Sequence, residues 1–198
     1  MSKVPVFVEL CAGTAALSLR LARSKARPPV SRMGAKTGYA DAILARMGLQ
    51  AGQGADGYLW CEPEAGPRLL LECYRNAELA RAAAEVVRGW ADEEPRALFE
   101  RLRAEGPVKA PEPREVARWL FLAQRAYRKG HPETGPNPSE FKATEWRASD
   151  GSVGLRPPAS CWKDGARLDD LPELPGCIVP DATEVEPARL PAGENDSR

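Results

Sequence analysis

The chain has 198 residues, enough for one domain with a hydrophobic core of its own, and its 28 basic and 28 acidic side chains exclude a uniformly basic nucleic-acid coat. Five scattered cysteines without a CxxC pair, together with a single histidine, argue against a zinc site and against a histidine base. No apolar run is long enough to cross a membrane and the first residues do not form a signal peptide, so we predict a cytoplasmic protein with reduced thiols.

The first element is an apolar strand over residues 6–10, followed by a small-residue turn and a helix that contains Leu17 and Leu21. Ala12 and Gly13 carry no bulk beyond Cβ, so a ligand can approach the backbone of the turn. We expect the Thr14 hydroxyl to cap the helix. Strand, turn and helix in this order open nucleotide- or cofactor-binding units, but an ordinary structural turn fits the same residues.

The stretch that follows is basic, because no acidic residue stands between Glu9 and Asp41. A local basic face can bind phosphates, although a solvated helix face fits equally well. A phosphate-binding P-loop is excluded, since Val30 and Ala35 occupy its two glycine positions. The basic residues of the stretch are Arg20, Arg23, Lys25, Arg27, Arg32 and Lys36.

A second buried strand is predicted at residues 58–61, and Glu62 stands at its end. Ligands of parallel sheets bind beyond the carboxyl ends of the strands, where a carboxylate can accept from two ribose hydroxyls. The alternative is that the Glu62 carboxylate stabilises the next helix by interacting with the positive end of its dipole. We predict one long amphipathic helix over residues 65–90 and two shorter helices over residues 97–106 and 113–127.

Residues 130–176 are rich in proline and glycine, with aromatic and basic side chains interleaved. Such a segment suits contact with nucleic acid, through stacking and phosphate pairing, but also suits a surface loop held by its tryptophans. A last short strand is predicted over residues 177–179, and Asp181 follows it. We expect the three strands to lie in one mostly parallel sheet, with Glu9, Gly13, Glu62 and Asp181 at one edge.

The first turn resembles motif I of the Dam-type DNA adenine methyltransferases, including phage-encoded DNA methylases. The resemblance rests on Phe-Val-Glu at residues 7–9 and Cys-Ala-Gly-Thr-Ala at residues 11–15. Two residues depart from the family pattern: Leu10 replaces a proline, and Ala15 replaces the last glycine. The resemblance implies that the turn holds S-adenosylmethionine, through Glu9, Cys11, Ala12, Gly13 and Thr14.

Three further segments look like parts of the same family pattern. Arg32, Gly34 and Lys36 match motif X, which lies beside the methionine end of the cofactor, although motif X usually precedes motif I. Glu62 resembles the motif II acid that binds the ribose, and Asp181 the motif III acid that reaches the adenine. The loop-rich region takes the place of the target-recognition region.

The family's catalytic Asp-Pro-Pro-Tyr motif is missing from the sequence, since the two Pro-Pro pairs follow Arg27 and Arg156. We therefore predict the S-adenosylmethionine-binding part of a DNA N6-adenine methyltransferase, truncated or split before this motif and inactive alone; in the split case a second chain carries the motif. The alternatives are a non-catalytic DNA-binding or regulatory protein derived from this fold, and an unrelated α/β protein.

The predicted fold is a partial Rossmann-like methyltransferase sheet of the α/β class, with helical and loop-rich insertions. Its parts are a cofactor-binding core over residues 1–92, a helical insertion over 93–130, a candidate target-recognition region over 131–176, and a return strand with a polar tail over 177–198.

Overall fold

The computed structural model describes residues 3–30, 36–106, 110–126, 145–147, 153–155 and 168–180. These residues form a mixed α/β protein with six α-helices. The helices are α1 (Ala16–Ala22), α2 (Ala40–Arg46), α3 (Ala65–Arg75), α4 (Ala77–Gly89), α5 (Pro95–Ala104) and α6 (Pro113–Arg125). The strands are β1 (Val4–Leu10), β2 (Ala55–Cys61), β3 (Glu145–Arg147), β4 (Val153–Leu155) and β5 (Gly176–Val179).

Three strands form one parallel sheet in the order β1-β2-β5. Phe7 lies opposite Tyr58 in the first pair, and Trp60 lies opposite Ile178 in the second. The prediction that the three apolar runs share a parallel sheet is therefore confirmed. Strands β3 and β4 form a separate antiparallel pair.

The central strand β2 carries the aromatic core of the sheet. The rings of Tyr58 and Trp60 stack with their centroids 6.0 Å apart, and Tyr74 from α3 meets the Trp60 ring edge-on at 6.3 Å. All three side chains are buried. A Cβ on Gly176 would overlap the Trp60 ring, so β5 pairs with β2 only because its first residue has no side chain.

The predicted helix over residues 65–90 is wrong as a single element, because α3 and α4 are separate helices. Asn76 between them has an extended backbone, with φ −140° and ψ 96°. Its side-chain oxygen accepts hydrogen bonds from the backbone N–H groups of Glu78 and Leu79, each at 3.0 Å. Asparagine is among the best N-cap residues, and here the cap starts a second helix.

Helices α3 to α6 pack together beside the sheet, and α6 contacts α3, α4 and α5. Leu98 and Phe99 of α5 and Trp119 and Phe121 of α6 belong to the same buried core as Trp60 of the sheet. The helical segment after residue 93 is therefore part of the main core. Within the described part of the chain, no helix has the length and apolar character needed to cross a membrane.

Candidate functional site

The turn after β1 has an unusual backbone. Cys11, Gly13 and Ala15 have φ values of 49°, 55° and 49°, in the left-handed region that residues other than glycine rarely adopt. Ala12 lies between them, and its N–H donates to the carbonyl of Cys61 at 2.9 Å, which joins the turn to the end of β2. Strained backbone of this kind gathers at ligand-binding turns, because the surrounding structure holds it in place.

Glu62 lies directly against this turn. Its Oε2 accepts a hydrogen bond from the backbone N–H of Gly13 at 2.5 Å, and its Oε1 accepts one from the N–H of Glu64 at 2.9 Å. The residue is 4% exposed. The carboxylate thus joins the end of β2 to the turn after β1, as expected for groups at the carboxyl ends of neighbouring parallel strands.

Glu9 anchors the first helix. Its carboxylate accepts hydrogen bonds from the N–H groups of Leu17 and Ser18, at 3.3 and 3.0 Å, and from the Ser18 hydroxyl at 2.6 Å. The prediction that Thr14 caps α1 is wrong, since the residue before α1 is Ala15 and no side chain caps the helix there. The Thr14 hydroxyl is buried without a hydrogen-bond partner among the described residues. Glu9 serves these amides because its strand delivers the carboxylate to the first turn of the helix.

The pKa of Glu9 is raised above its usual value, mainly because burial penalises the charged carboxylate. The hydrogen bonds from Ser18 and Leu17 and the positive charge of Lys36 act in the opposite direction. The hydrogen bonds to the ionised carboxylate therefore do not fully offset the hydration that it loses on burial.

Lys36 lies at the outer side of the turn. Its ammonium donates to the carbonyl oxygen of Cys11 at 2.7 Å and lies 4.0 Å from Oε1 of Glu9. The segment that resembles motif X therefore contacts the turn that resembles motif I, although it follows that turn in the chain. Arg32 and Gly34 of the same segment, and Asp181 after β5, lie outside the described residues.

Two residues that the sequence did not single out, Ser18 and Tyr74, form hydrogen bonds with Glu9 beside the turn or with the turn itself. The Ser18 hydroxyl accepts from the indole N–H of Trp60 at 2.9 Å while it donates to Glu9. The Tyr74 hydroxyl, fully buried on α3, donates to the carbonyl of Thr14 at 3.0 Å. Tyr74 lies within the helix predicted over residues 65–90, and nothing in a helical pattern marks a tyrosine that reaches another element.

The structure thus brings together seven of the predicted site residues at one edge of the sheet. The exposed Cys11 and the buried Ala12 and Thr14 belong to the turn itself, with Gly13 bound by Glu62 and Cys11 bound by Lys36. Glu9 lies beneath them. Within the described residues, no group of three or more histidine, cysteine or acidic side chains is placed to hold a metal ion.

Comparison with known proteins finds no family model, no curated protein and no solved structure that matches this chain.

Proposed function

We propose that the chain is the S-adenosylmethionine-binding part of a DNA N6-adenine methyltransferase. The observation that carries the proposal is the contact of Gly13 with Glu62 at the carboxyl ends of two neighbouring parallel strands. A turn that lets a ligand approach and an acid that accepts from hydroxyls are the two parts of a nucleoside-binding site.

The order of the strands supports the proposal. Read from β5 through β2 to β1, it corresponds to the 3-2-1 half of the 3-2-1-4-5-6 sheet of dinucleotide-binding folds. In such sheets the ligand lies at the point where the strand order reverses, beside strand 1. The candidate turn follows β1, the edge strand of the described sheet that corresponds to strand 1.

The residues present fit the cofactor in part. Both oxygens of Glu62 already accept one backbone N–H each, but a carboxylate has about four acceptor positions, so it can also accept from the two ribose hydroxyls. S-adenosylmethionine, when bound, supplies an electrophilic methyl group. Glu62, Gly13 and Lys36 would hold and orient it, and the Asp-Pro-Pro-Tyr motif that binds the target amine in the family is missing from the sequence given.

DNA is the proposed substrate, because the basic residues after β1 and the aromatic and basic residues of the loop-rich region suit phosphate pairing and base stacking. Most of that region lies outside the described residues.

Isothermal calorimetry with S-adenosylmethionine tests the proposal. The chain alone should bind weakly, because one side of the pocket is left to water, and Glu62→Gln should weaken binding roughly tenfold further. The matched control is Glu72→Gln, which changes a half-exposed acid that pairs with Arg75 on α3. Addition of a polypeptide that carries Asp-Pro-Pro-Tyr and the next strand should tighten binding.

Methyl transfer to unmethylated DNA by the isolated chain should be absent, because the transition state needs an acceptor beside the target nitrogen. Tight cofactor binding by the chain alone, or equal binding by the Glu62→Gln and Glu72→Gln variants, would contradict the proposal.

A second candidate is a non-catalytic DNA-binding or regulatory protein that kept this fold. It is favoured by Ala15, whose side chain stands where the family has glycine. This protein would bind duplex DNA and show no heat of binding with S-adenosylmethionine, with or without an added fragment.

A further inference from the structure

A cleft of about 230 Å³ lies beside α1, between the segment that follows this helix and the turn that precedes α2. It adjoins the candidate cofactor site without sharing its residues, since Ala16 follows the strained turn and Thr37 follows Lys36. Small-molecule sites usually measure roughly 300–1,000 Å³, so this cleft is sized for one group of a larger ligand. The lining residues that matter are Ala16, Arg20, Arg27, Pro28, Thr37 and Asp41.

The charges in the cleft do not cancel. Arg20 and Asp41 form a bidentate pair, Nε to Oδ1 at 2.5 Å and Nη2 to Oδ2 at 2.6 Å. These hydrogen bonds, and to a smaller extent the charge of Arg27, hold the pKa of Asp41 below its ordinary value. Arg27 itself is exposed and forms no ion pair within the described part of the chain. Among the described residues, the cleft therefore has one guanidinium group more than it has carboxylates.

A neutral donor stands beside this charge. The hydroxyl of Thr37 is buried and has no hydrogen-bond partner among the described residues. Buried polar groups are nearly always hydrogen-bonded, so an orphan at the wall of a cleft calls for a ligand or a water molecule. A guanidinium group without an ion pair among the described residues and a hydroxyl donor together favour the binding of an oxyanion. The planar fork of arginine matches two oxygens of one phosphate.

We propose that this cleft binds a phosphate group, with the Arg27 guanidinium donating to two of its oxygens and the Thr37 hydroxyl donating to a third. The expected source is a phosphodiester of the DNA backbone, and this identity of the source rests on the proposed function. A phosphate held here would fix the duplex beside the cofactor turn without reading its sequence.

Fluorescence anisotropy with a labelled DNA duplex over a range of salt concentrations tests the proposal on the full chain. Arg27→Gln should weaken binding roughly tenfold, uniformly across duplex sequences, and should reduce the slope of log affinity against log salt by about 0.9. Thr37→Val, which keeps the shape of the side chain, should weaken binding roughly threefold. Arg46→Gln is the matched control, because Arg46 is an exposed arginine on α2 outside the cleft.

A second arm titrates inorganic phosphate into the chain and follows the backbone amide signals of Arg27 and Thr37 by NMR. Phosphate-dependent shifts that vanish in Arg27→Gln, with duplex binding unchanged, would support the phosphate site and overturn DNA as its source. Equal losses of duplex affinity in the Arg27→Gln and Arg46→Gln variants, without a phosphate response, would overturn the site itself. The site would also be overturned if Arg27→Gln changed neither duplex binding nor the phosphate-dependent NMR shifts.

S-adenosylmethionine calorimetry on the Arg27→Gln variant separates this proposal from the proposed function. The variant should bind the cofactor as the unaltered chain does. If the unaltered chain does not bind S-adenosylmethionine, the proposed function is wrong. The phosphate and duplex measurements still test whether the cleft binds phosphate.

Discussion

Ala15 has a backbone conformation, φ 49° and ψ 43°, that costs a non-glycine residue about 1–2 kcal/mol. The residue is also fully buried, between the strained turn and the first residue of α1. Hydrogen bonds of the two preceding residues hold this backbone in place, since the Gly13 N–H donates to Glu62 and the Tyr74 hydroxyl donates to the Thr14 carbonyl.

Replacement of Ala15 by glycine should therefore raise the free energy of unfolding by up to about 1 kcal/mol, because glycine adopts this conformation without strain. The measurement is urea denaturation followed by circular dichroism. Ala12→Gly is the control: Ala12 is equally buried but has no left-handed backbone, so this change should destabilise the fold by about 1 kcal/mol. A loss of stability in both variants would show that the Ala15 side chain contributes more than its strain costs.

Glu9 makes a prediction about pH. Its pKa is raised in the fold, so the folded chain binds a proton more tightly than the unfolded chain does. The stability that this proton contributes is fully present below the ordinary value of 4.5 and is lost as the pH rises through the folded value. Glu9→Gln removes that contribution. The unfolding free energy of the unaltered chain minus that of Glu9→Gln should therefore fall as the pH rises from 4.5 through the folded pKa of Glu9.

Glu94→Gln provides a control of opposite sign. The pKa of Glu94 is lowered, first by hydrogen bonds from the backbone N–H groups of Arg96 and Ala97, so its contribution is present above the ordinary value and is lost on acidification. Chemical denaturation of the three proteins at several pH values would give both trends. A difference for Glu9→Gln that rises with pH would mean that the hydrogen bonds from Ser18 and Leu17 outweigh the burial of Glu9.

At the scale of the elements, the break between α3 and α4 depends on one side chain. Asn76 supplies the oxygen that satisfies two amides of the first turn of α4. Asn76→Ala should lower the free energy of unfolding by about 1 kcal/mol, because these amides lose their acceptor. Asn76→Asp should leave stability nearly unchanged, since aspartate is an equally good cap. Thermal unfolding of the two variants checks the prediction, and equal losses in both would show that the amide group of Asn76, rather than its oxygen, stabilises the break.

Helices and strands follow from the sequence to different degrees, for physical reasons. Three short apolar runs predicted the parallel sheet, because each is too short for a helix and is bounded by turn residues. The break at Asn76 was missed because the apolar period of α3 and α4 continues across it, and a single asparagine does not outweigh that period. The capping of α1 was missed because its acceptor, Glu9, lies on another element, where local patterns do not reach.

At the scale of the whole molecule, the candidate site depends on long-range contacts. The sequence predicted that Gly13 and Glu62 would share one edge of the sheet, since strand ends followed by small or acidic residues meet there. It did not predict the hydrogen bond from Tyr74 on α3 to the Thr14 carbonyl, or the one from Lys36 to the Cys11 carbonyl. Those contacts require α3 to pack against the sheet and the residues before α2 to fold back on the turn, and tertiary packing of this kind leaves no signal in a helical or strand period.

The packing of α3 against α6 makes the last prediction. Gly66 lies in the first turn of α3, and a Cβ added there would overlap the indole ring of Trp119, which is itself buried. Gly66→Ala should therefore destabilise the fold by about 1–3 kcal/mol, because the ring must shift in a close-packed core. Gly89→Ala is the matched control: this glycine ends α4 with open space around its Cα, so alanine should be neutral or should stabilise by up to about 1 kcal/mol. The urea midpoint should fall for Gly66→Ala and should stay unchanged or rise for Gly89→Ala. Equal midpoints in the two variants would mean that α3 and α6 separate without a loss of stability.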